Sequence, residues 1–151
     1  MLVWRICSRQ YRAFDGEGAR LHGGRWNFPG VRVVYTSGSL ALATLELLVH
    51  VDAGLLPEDL LAISVQVPEE VESRRVEDRD LPSNWRQYPA PERLQEIGTE
   101  WARAGRTVIL SVPSAIVPQE RSYLLNPAHA EFARLKVSKA VSFRLDARLR
   151  K

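Results

Sequence analysis

The sequence has little cysteine: Cys7 is the only one in 151 residues. One cysteine can form neither an internal disulfide nor a site with several cysteine ligands, which excludes secreted disulfide scaffolds and cysteine-rich zinc modules. The first residues also lack the apolar segment of a signal peptide, and no apolar run approaches the roughly 20 residues that cross a bilayer. We therefore expect a cytoplasmic protein with no membrane contact.

The composition is that of an ordinary globular domain, with 45% hydrophobic and 26% charged residues. A chain of this length buries roughly two-thirds of its unfolded surface when it folds, which is enough for a sizeable core. The sequence has no internal repeat, no low-complexity tract and no linker. We expect residues 1–151 to form a single domain.

The charges are unevenly distributed. Residues 58–80 carry eight acidic and three basic side chains, whereas residues 134–151 carry seven basic and one acidic. These segments form either two oppositely charged solvated faces or, at the carboxyl end, a basic surface for an anionic partner. Because the net charge is only +3 and the basic segment has few aromatic residues, we expect no direct binding to nucleic acid.

Helix and strand patterns are mixed along the chain, which predicts an α+β fold. The patterns predict strands at residues 2–6, 31–36, 61–67 and 107–112, with one or two more within 135–145, and helices at 40–52 and 92–104. Ser39 is predicted to cap the first helix and Gly54 to end it, and Gly105 closes the second. The glycine-containing stretch 16–24 and the segments 69–89 and 113–129 are predicted to be loops, the second of them on the surface.

The segment 40–51 is apolar on almost every side when drawn as a helix, which predicts a buried helix. Glu46 lies in its middle, and its helical neighbours are Leu42, Ala43, Val49 and His50. A buried carboxylate without partners is costly or takes a raised pKa. Glu46 therefore either pairs with His50 or a distant arginine to fix the packing, or faces a functional cleft.

The run Gly23-Gly24-Arg25-Trp26-Asn27 is a candidate ligand loop. Paired glycines let a backbone approach a ligand closely, while Arg25 and Trp26 offer a planar cation and a stacking surface. The alternative is a tight turn with a surface arginine. Tyr35, on the following strand, lies either beside this loop or in the core with its hydroxyl satisfied.

Pro113 and Pro118 fix the backbone around Ser114. Ser114 lacks the G-x-S-x-G turn of hydrolases, and none of the three histidines has a motif spacing to it, or to another histidine as a metal ligand. We therefore expect neither a serine hydrolase nor a metal site. Asn126-Pro127 most simply indicates a turn.

Five groups of residues, in this order, resemble the motifs of the RES domain, a family named for an arginine, a glutamate and a serine. They are Gly18-Ala19 with Gly23-Gly24-Arg25-Trp26-Asn27, Val34-Tyr35-Thr36-Ser37, Leu40-Ala41 with Leu45-Glu46, Pro113-Ser114-Ala115 with Asn126-Pro127, and Ser142-Phe143 with Arg148-Leu149. Each group is weak alone, but five in the same order are specific. One departure is Ser122, at a position where the family usually has asparagine.

The resemblance implies a fold related to that of the ADP-ribosyltransferases and a cleft that binds NAD. It implies the toxin of a type II toxin-antitoxin pair, an NAD phosphorylase that releases nicotinamide and ADP-ribose phosphate. NAD is then the substrate and inorganic phosphate the co-substrate, with no further cofactor. The implied partners are an Xre-like antitoxin that blocks the cleft and a second copy of the chain in a homodimer.

The resemblance also assigns the site residues. Glu46, Arg25 and Tyr35 are implied to be catalytic, and Arg25, Trp26, Tyr35, Ser114 and Asn126 to bind the substrate. Glu46 would stabilise the cationic ribose carbon. Arg25 would hold the pyrophosphate or the incoming phosphate. Tyr35 would stack on or orient the nicotinamide ribose, and Ser114 would donate to a phosphate or to the substrate amide.

Other functions stay open at this point. The same site could hydrolyse NAD as a glycohydrolase or transfer ADP-ribose to a macromolecule, because the sequence does not identify the acceptor. A non-enzymatic module that binds nucleic acid or another protein is the alternative from a different class.

Overall fold

The computed structural model describes residues 1–150, and one central sheet organises them. Its eight strands are β1 (Leu2–Ser8), β2 (Val34–Ser37), β3 (Leu60–Gln66), β4 (Ser73–Arg75), β5 (Ile109–Pro113), β6 (Arg121–Leu125), β7 (Lys136–Val137) and β8 (Val141–Ser142). The strand order is β4-β5-β6-β2-β1-β3-β7, and β8 also pairs with β3. β4 and β5 are parallel, and the other pairs are antiparallel.

Three α-helices accompany the sheet in the described part of the chain: α1 (Glu17–His22), α2 (Leu40–His50) and α3 (Glu92–Ala104). α2 packs on β1 and β2, and α3 shares a core with β5 and β6. The mixed content of strands and helices confirms the predicted α+β class. No helix within residues 1–150 is long and apolar enough to span a membrane.

The core has two parts, one on each face of the sheet. Leu110 and Leu124 belong to the cluster that α3 covers, whereas their neighbours Ile109 and Leu125 belong to the second cluster. Successive residues of a strand point to opposite faces, so the two clusters lie on opposite sides of β5 and β6. Burial on both faces explains why β5 reads as a nearly continuous apolar run.

The sheet is open between β1 and β2. β1 pairs with β3 along its whole length, from Leu2 to Ser8. Over the described chain β1 pairs with β2 only at Trp4 and Ser37, and the ladder does not continue toward Ile6. The interruption leaves backbone and side chains of both strands free to line a cavity.

The predicted helices need one correction. Ser39 caps α2 as predicted, since its hydroxyl accepts from the amide of Leu42, and α3 has the predicted bounds with Gly105 in the left-handed conformation. α2 nevertheless ends at His50, and Gly54 lies in the following 3₁₀ turn, Ala53–Leu55. The prediction that Gly54 stops the helix is therefore wrong: the extended backbone of Val51 ends it earlier.

The predicted loops also contain regular structure. The stretch 16–24 includes α1, which is preceded by Gly16 in a left-handed conformation that glycine adopts readily. The segment 69–89 contributes β4 and buries Val76 and Trp85, so it is not merely a surface connection. The segment 113–129 contains β6, a strand in the middle of the sheet. The errors at 69–89 and 113–129 arise because short strands gain their stability from neighbours that are distant in sequence.

Burial differs from the sequence pattern in two elements. In β3 both Leu61 and Ala62 are buried, so this strand has two buried faces at its start instead of one. α2 was predicted to be buried, yet Leu45 is 40% and Val49 is 60% exposed. Nothing in the described part of the chain covers the outer side of α2, so these apolar residues contact solvent. Lys151, the last of the basic carboxyl-terminal residues, lies outside the described residues.

Candidate active site

A cavity of about 520 Å³ opens where β1 and β2 separate. Most of its lining residues come from five parts of the chain: β1 (residues 4–6), α1 with the start of the glycine loop (residues 16–26), β2 (residues 35–37), α2 (residues 43–50) and the β5–β6 region (residues 113–115 and 122). The glycine loop is the run of residues 23–28 that follows α1. A pocket of this size is in the usual range for small-molecule ligands. It brings together Arg25, Trp26, Tyr35, Glu46 and Ser114, the predicted site residues other than Asn126.

Glu46 is the one carboxylate that lines this cavity among the residues described. Its Oε2 lies 3.9 Å from Nε2 of His50, one helical turn away, and its Oε1 lies 3.4 Å from the Ser114 hydroxyl. Burial raises the pKa of Glu46, while the charge of His50, the hydrogen bond from Ser114 and the charge of Arg25 oppose that rise. The sequence left open whether Glu46 pairs with a neighbour or faces a cleft. The structure shows both, because Glu46 lies beside His50 and also lines the cavity.

Ser114 is held rigidly behind Glu46. Its hydroxyl accepts from the amides of Ile116 and Val117, at 3.1 and 3.2 Å, and its proton is directed to Glu46. Ser114 is only 1% exposed. In this arrangement Ser114 positions the carboxylate, and its donor is not directed at a substrate phosphate or amide.

Arg25 projects from the glycine loop, and one of its guanidinium nitrogens already donates hydrogen bonds within the protein. Its Nη1 donates to the carbonyls of Trp85 and Gln87, at 3.0 and 3.1 Å. Burial lowers the pKa of Arg25, and the nearby charge of Glu46 opposes that effect, but an arginine remains protonated at neutral pH. The two carbonyls fix the orientation of the guanidinium. Within residues 1–150 its Nε and Nη2 make no hydrogen bond, so they can donate to an anionic ligand.

Arg5 is a cavity residue that the sequence interpretation missed. It lies in the middle of β1 and lines the cavity, and among residues 1–150 its buried Nε has no hydrogen-bond partner. A buried donor without a partner is rare in a folded protein, so this Nε is a candidate donor to a ligand in the cavity. The detectable sign in the sequence was a lone arginine inside an apolar strand.

The glycine loop is fixed by an internal network around Asn27. The Tyr35 hydroxyl donates to Oδ1 of Asn27 at 2.6 Å and accepts from the amide of Trp26 at 3.1 Å. A Cβ atom at Gly24 would lie 2.6 Å from that hydroxyl, so glycine is required for the approach of the loop to Tyr35. Burial raises the pKa of Tyr35 well above its usual range. Tyr35 thus borders the cavity with its hydroxyl already satisfied, as one of the two interpretations of the sequence proposed.

Two predicted binding residues have other positions than expected. Trp26 touches the cavity but is 3% exposed, and its side chain packs with Trp85 and Trp101 in the core, so it offers no free stacking surface. Asn126 does not line the cavity. Its amide donates to the carbonyl of Ala102 and accepts from the amide of Ala128, which makes it the turn residue that the Asn-Pro pair indicated.

α3 holds the glycine loop from behind. Gln95 donates to the carbonyls of Gly24 and Asn27, and the Thr99 hydroxyl accepts from the amide of Phe28. A Cβ atom at Gly98 would lie 1.7 Å from the carbonyl oxygen of Trp26, so helix and loop are in direct backbone contact. Sequence reasoning did not identify these three helix residues, because they act on a segment about 70 positions away.

A scan against protein families assigns residues 2–146 to the RES domain. The chain belongs to the RES domain family. This RES domain is 40% identical over 152 residues to the Prs ADP-ribosylating toxin of Sphingobium sp., covering 97% of this chain and 94% of the relative. It is also 40% identical over 155 residues to Toxin Res of Yersinia enterocolitica, covering 99% of this chain and 100% of the relative.

The RES domain also resembles a solved structure. A chain in the crystal structure of the M. tuberculosis MbcT-MbcA toxin-antitoxin complex matches it with a TM-score of 0.74 and 17% sequence identity. The match covers 94% of this chain and 83% of that chain. At this identity the likeness establishes the fold, which agrees with the α+β architecture described above.

Proposed function

We propose that this RES domain is the toxin of a toxin-antitoxin pair and that it cleaves the bond between nicotinamide and ribose in NAD. The observation that carries the proposal is Glu46, a partly buried carboxylate in a cavity whose other charged residues include Arg5 and Arg25. The relatives that match nearly the whole chain are named toxins, and one is named as ADP-ribosylating. A protein that transfers ADP-ribose breaks this same bond.

Glu46 supplies the electrostatic part of the reaction. As the bond to nicotinamide breaks, positive charge develops on the ribose carbon, and the pyridinium leaves as a neutral ring that needs no general acid. A carboxylate fixed beside that carbon stabilises the oxocarbenium-like transition state, as in glycoside cleavage. Ser114 orients the carboxylate, and Arg25 favours its ionised form.

Arg25 and Arg5 supply the anion-binding part. The planar fork of arginine donors fits phosphate oxygens, often through two parallel hydrogen bonds. Arg25 is oriented by the Trp85 and Gln87 carbonyls, and the Nε of Arg5 has no hydrogen-bond partner among the residues that the structure describes. Two cations in one cavity match two anionic groups, the pyrophosphate of NAD and an incoming inorganic phosphate.

Inorganic phosphate is our first candidate for the acceptor, with ADP-ribose phosphate as the product. This assignment is supported by the pair of arginines and by the family resemblance. Transfer of ADP-ribose to a protein is a second candidate, favoured by the name of the Sphingobium relative. Hydrolysis by water is the third outcome that the same site allows.

The proposed partner is an Xre-like antitoxin that covers the cavity mouth. Support comes from the structural neighbour, which belongs to a toxin-antitoxin complex. A homodimer of the toxin stays a prediction of the family resemblance.

Expression of the chain should arrest growth, co-expression of the cognate antitoxin should restore it, and the Glu46→Gln variant should not arrest growth.

The test is nicotinamide release from NAD by the purified chain, with and without inorganic phosphate. Products are separated into ADP-ribose, ADP-ribose phosphate and protein-bound ADP-ribose. Phosphate-dependent release that collapses in Glu46→Gln but not in Glu100→Gln, a change of an exposed glutamate on α3, supports the phosphorylase. Labelled protein supports the transferase instead. No release under any condition, with folded protein, contradicts the enzymatic proposal.

A further inference from the structure

His50 occupies a particular place on α2. Ala43, Glu46, Leu47 and His50 line the cavity at helical spacing, so they form the inner stripe of this helix. His50 is the last of the four and the last residue of α2. Its Nε2 lies 3.9 Å from Oε2 of Glu46, which puts a basic nitrogen directly beside the carboxylate.

His50 lies on the solvent side of Glu46. Its side chain is 61% exposed, compared with 30% for that of Glu46. His50 also lines a second, smaller depression of about 380 Å³, together with residues 48, 49, 51, 52 and 55. It therefore stands between the cavity that would hold NAD and an open surface from which an acceptor can arrive.

Acceptors differ in whether they need a base. The dianion of inorganic phosphate attacks carbon with an oxygen that already carries negative charge, so no proton has to leave. Water, a hydroxyl or a protonated amine must lose a proton when its oxygen or nitrogen bonds to the ribose carbon. General-base catalysis of such a step is worth typically 10²–10⁴-fold.

We propose that His50 is the proton acceptor for acceptors that must be deprotonated, and that it is dispensable for transfer to phosphate. The proposal rests on the proposed cleavage of NAD and specifies how the acceptor is chosen. Tyr35, although it borders the cavity, has its hydroxyl engaged with Asn27, and Glu46 is assigned to the cationic carbon. His50 is the group beside Glu46 that faces the acceptor side.

The step balances without a further reactant. With water as acceptor, the bond from carbon to the nicotinamide nitrogen breaks and its electron pair stays on the ring, which leaves neutral. A bond forms between carbon and the water oxygen, and the proton passes to Nε2 of His50. His50 then releases the proton to solvent through its exposed side.

The test compares acceptors in one preparation. His50→Gln keeps a polar side chain but removes the base. His129→Asn is the matched control, because His129 lies outside the cavity and asparagine can keep the cap that His129 provides to the amide of Glu131. We expect His50→Gln to lower ADP-ribose formation in phosphate-free buffer, and transfer to methanol, by about 10²-fold or more. Rates are compared on the pH plateau, where Glu46 is ionised with or without the charge of His50. There, formation of ADP-ribose phosphate should stay within about threefold of the unmodified protein.

The outcomes separate this inference from the proposed function. Added imidazole should restore hydrolysis in His50→Ala, where the removed ring leaves room for it. If hydrolysis and phosphorolysis fall together, His50 acts through Glu46 and the inference is wrong. If the unmodified chain cleaves NAD only with phosphate, or if His50→Gln hydrolyses NAD normally, the inference also fails, while the proposed function stands. If the unmodified chain cleaves no NAD, both fail.

Discussion

α2 and α3 are helices of similar length on one sheet, but they follow opposite rules. α3 buries Leu94, Ile97 and Trp101 on one face and exposes charged residues on the other. α2 is apolar on nearly all sides, yet exposes Leu45 and Val49 and directs Glu46 into a cavity. The helix that obeys the amphipathic pattern carries no candidate catalytic residue, whereas the helix that departs from it does.

The difference shows how the fold divides its work. α3 stabilises the core and fixes the glycine loop through Gln95, Gly98 and Thr99. α2 gives up burial at Glu46 and at its outer face, and it gains a carboxylate next to a ligand cavity. Residues that do not fit the amphipathic pattern of their helix are expected at functional sites, because the rest of the fold supplies the stability that such residues cost.

The largest effect should come from the carboxylate of α2. Glu46→Gln should lower the rate of NAD cleavage by about 10²–10³-fold, because one preorganised electrostatic group is lost. Burial raises the pKa of Glu46 in the folded state, so ionisation of this group reduces stability as pH rises through that pKa. The neutral variant should therefore unfold at the same or a higher temperature at pH 7, as measured by calorimetry. A fall in melting temperature would contradict this division between function and stability.

The second effect tests α3 as a support for the site. In Gly98→Ala the new methyl group would collide with the carbonyl of Trp26, so helix or loop must move. We expect a loss of about 3 kcal/mol or more in the free energy of unfolding, since overpacking against backbone is not relieved by a rotamer change. Urea denaturation measures it, with Gly54→Ala, where the new methyl group meets open space, as the control. Equal stability of the two variants would show that α3 and the loop are not tightly coupled.

Tyr35→Phe tests the network that joins the loop to the sheet. The change leaves Oδ1 of Asn27 and the amide of Trp26 without their shared partner. We expect a loss of about 1–2 kcal/mol in unfolding free energy, with substrate affinity reduced as the loop loosens. Tyr88→Phe is the control, because Tyr88 is almost fully exposed. A variant with normal stability and no activity would instead assign the hydroxyl to the chemistry.

Ser114→Ala tests how α2 keeps its carboxylate ionised. The hydrogen bond from Ser114 lowers the pKa of Glu46 against the effect of burial, so its loss should raise that pKa further. Because the reaction needs the carboxylate, the acidic limb of the pH profile of kcat/KM should move to higher pH. Ser122→Ala is the control, since Ser122 lines the cavity without a hydrogen bond to Glu46 in residues 1–150. An unmoved acidic limb would remove Ser114 from this role.

The smallest effect belongs to the outer face of α2. Leu45→Gln and Val49→Gln should each change the free energy of unfolding by no more than about 0.5 kcal/mol, because both side chains already contact solvent. Leu42→Gln, at a buried position on the same helix, should be strongly destabilising by comparison. Denaturation of the isolated chain measures all three. A large loss for Val49→Gln would mean that this face is covered in solution.

Much of the fold was predictable from local pattern. The Ser39 cap, the bounds of α3 and the left-handed Gly105 follow from residues that act within a single turn. β4 and β6 were not predictable, because each is a short strand that is stabilised by a neighbouring strand distant in sequence. Ser73 of β4 pairs with Ile109, and Arg121 of β6 pairs with Pro113. The candidate site was identified by Glu46 and Arg25, whose chemistry stands out against an apolar or glycine-rich context.

The sequence by itself determined that the chain is an α+β domain of the RES family and that Glu46 is out of place in an apolar helix. Only the tertiary structure decided that Trp26 is a core residue, that Asn126 lies away from the cavity and that Arg5 belongs to it. The physical reason is distance along the chain. Ser114 and Glu46 are 68 positions apart, and no local pattern reports contacts that are made only when the sheet assembles.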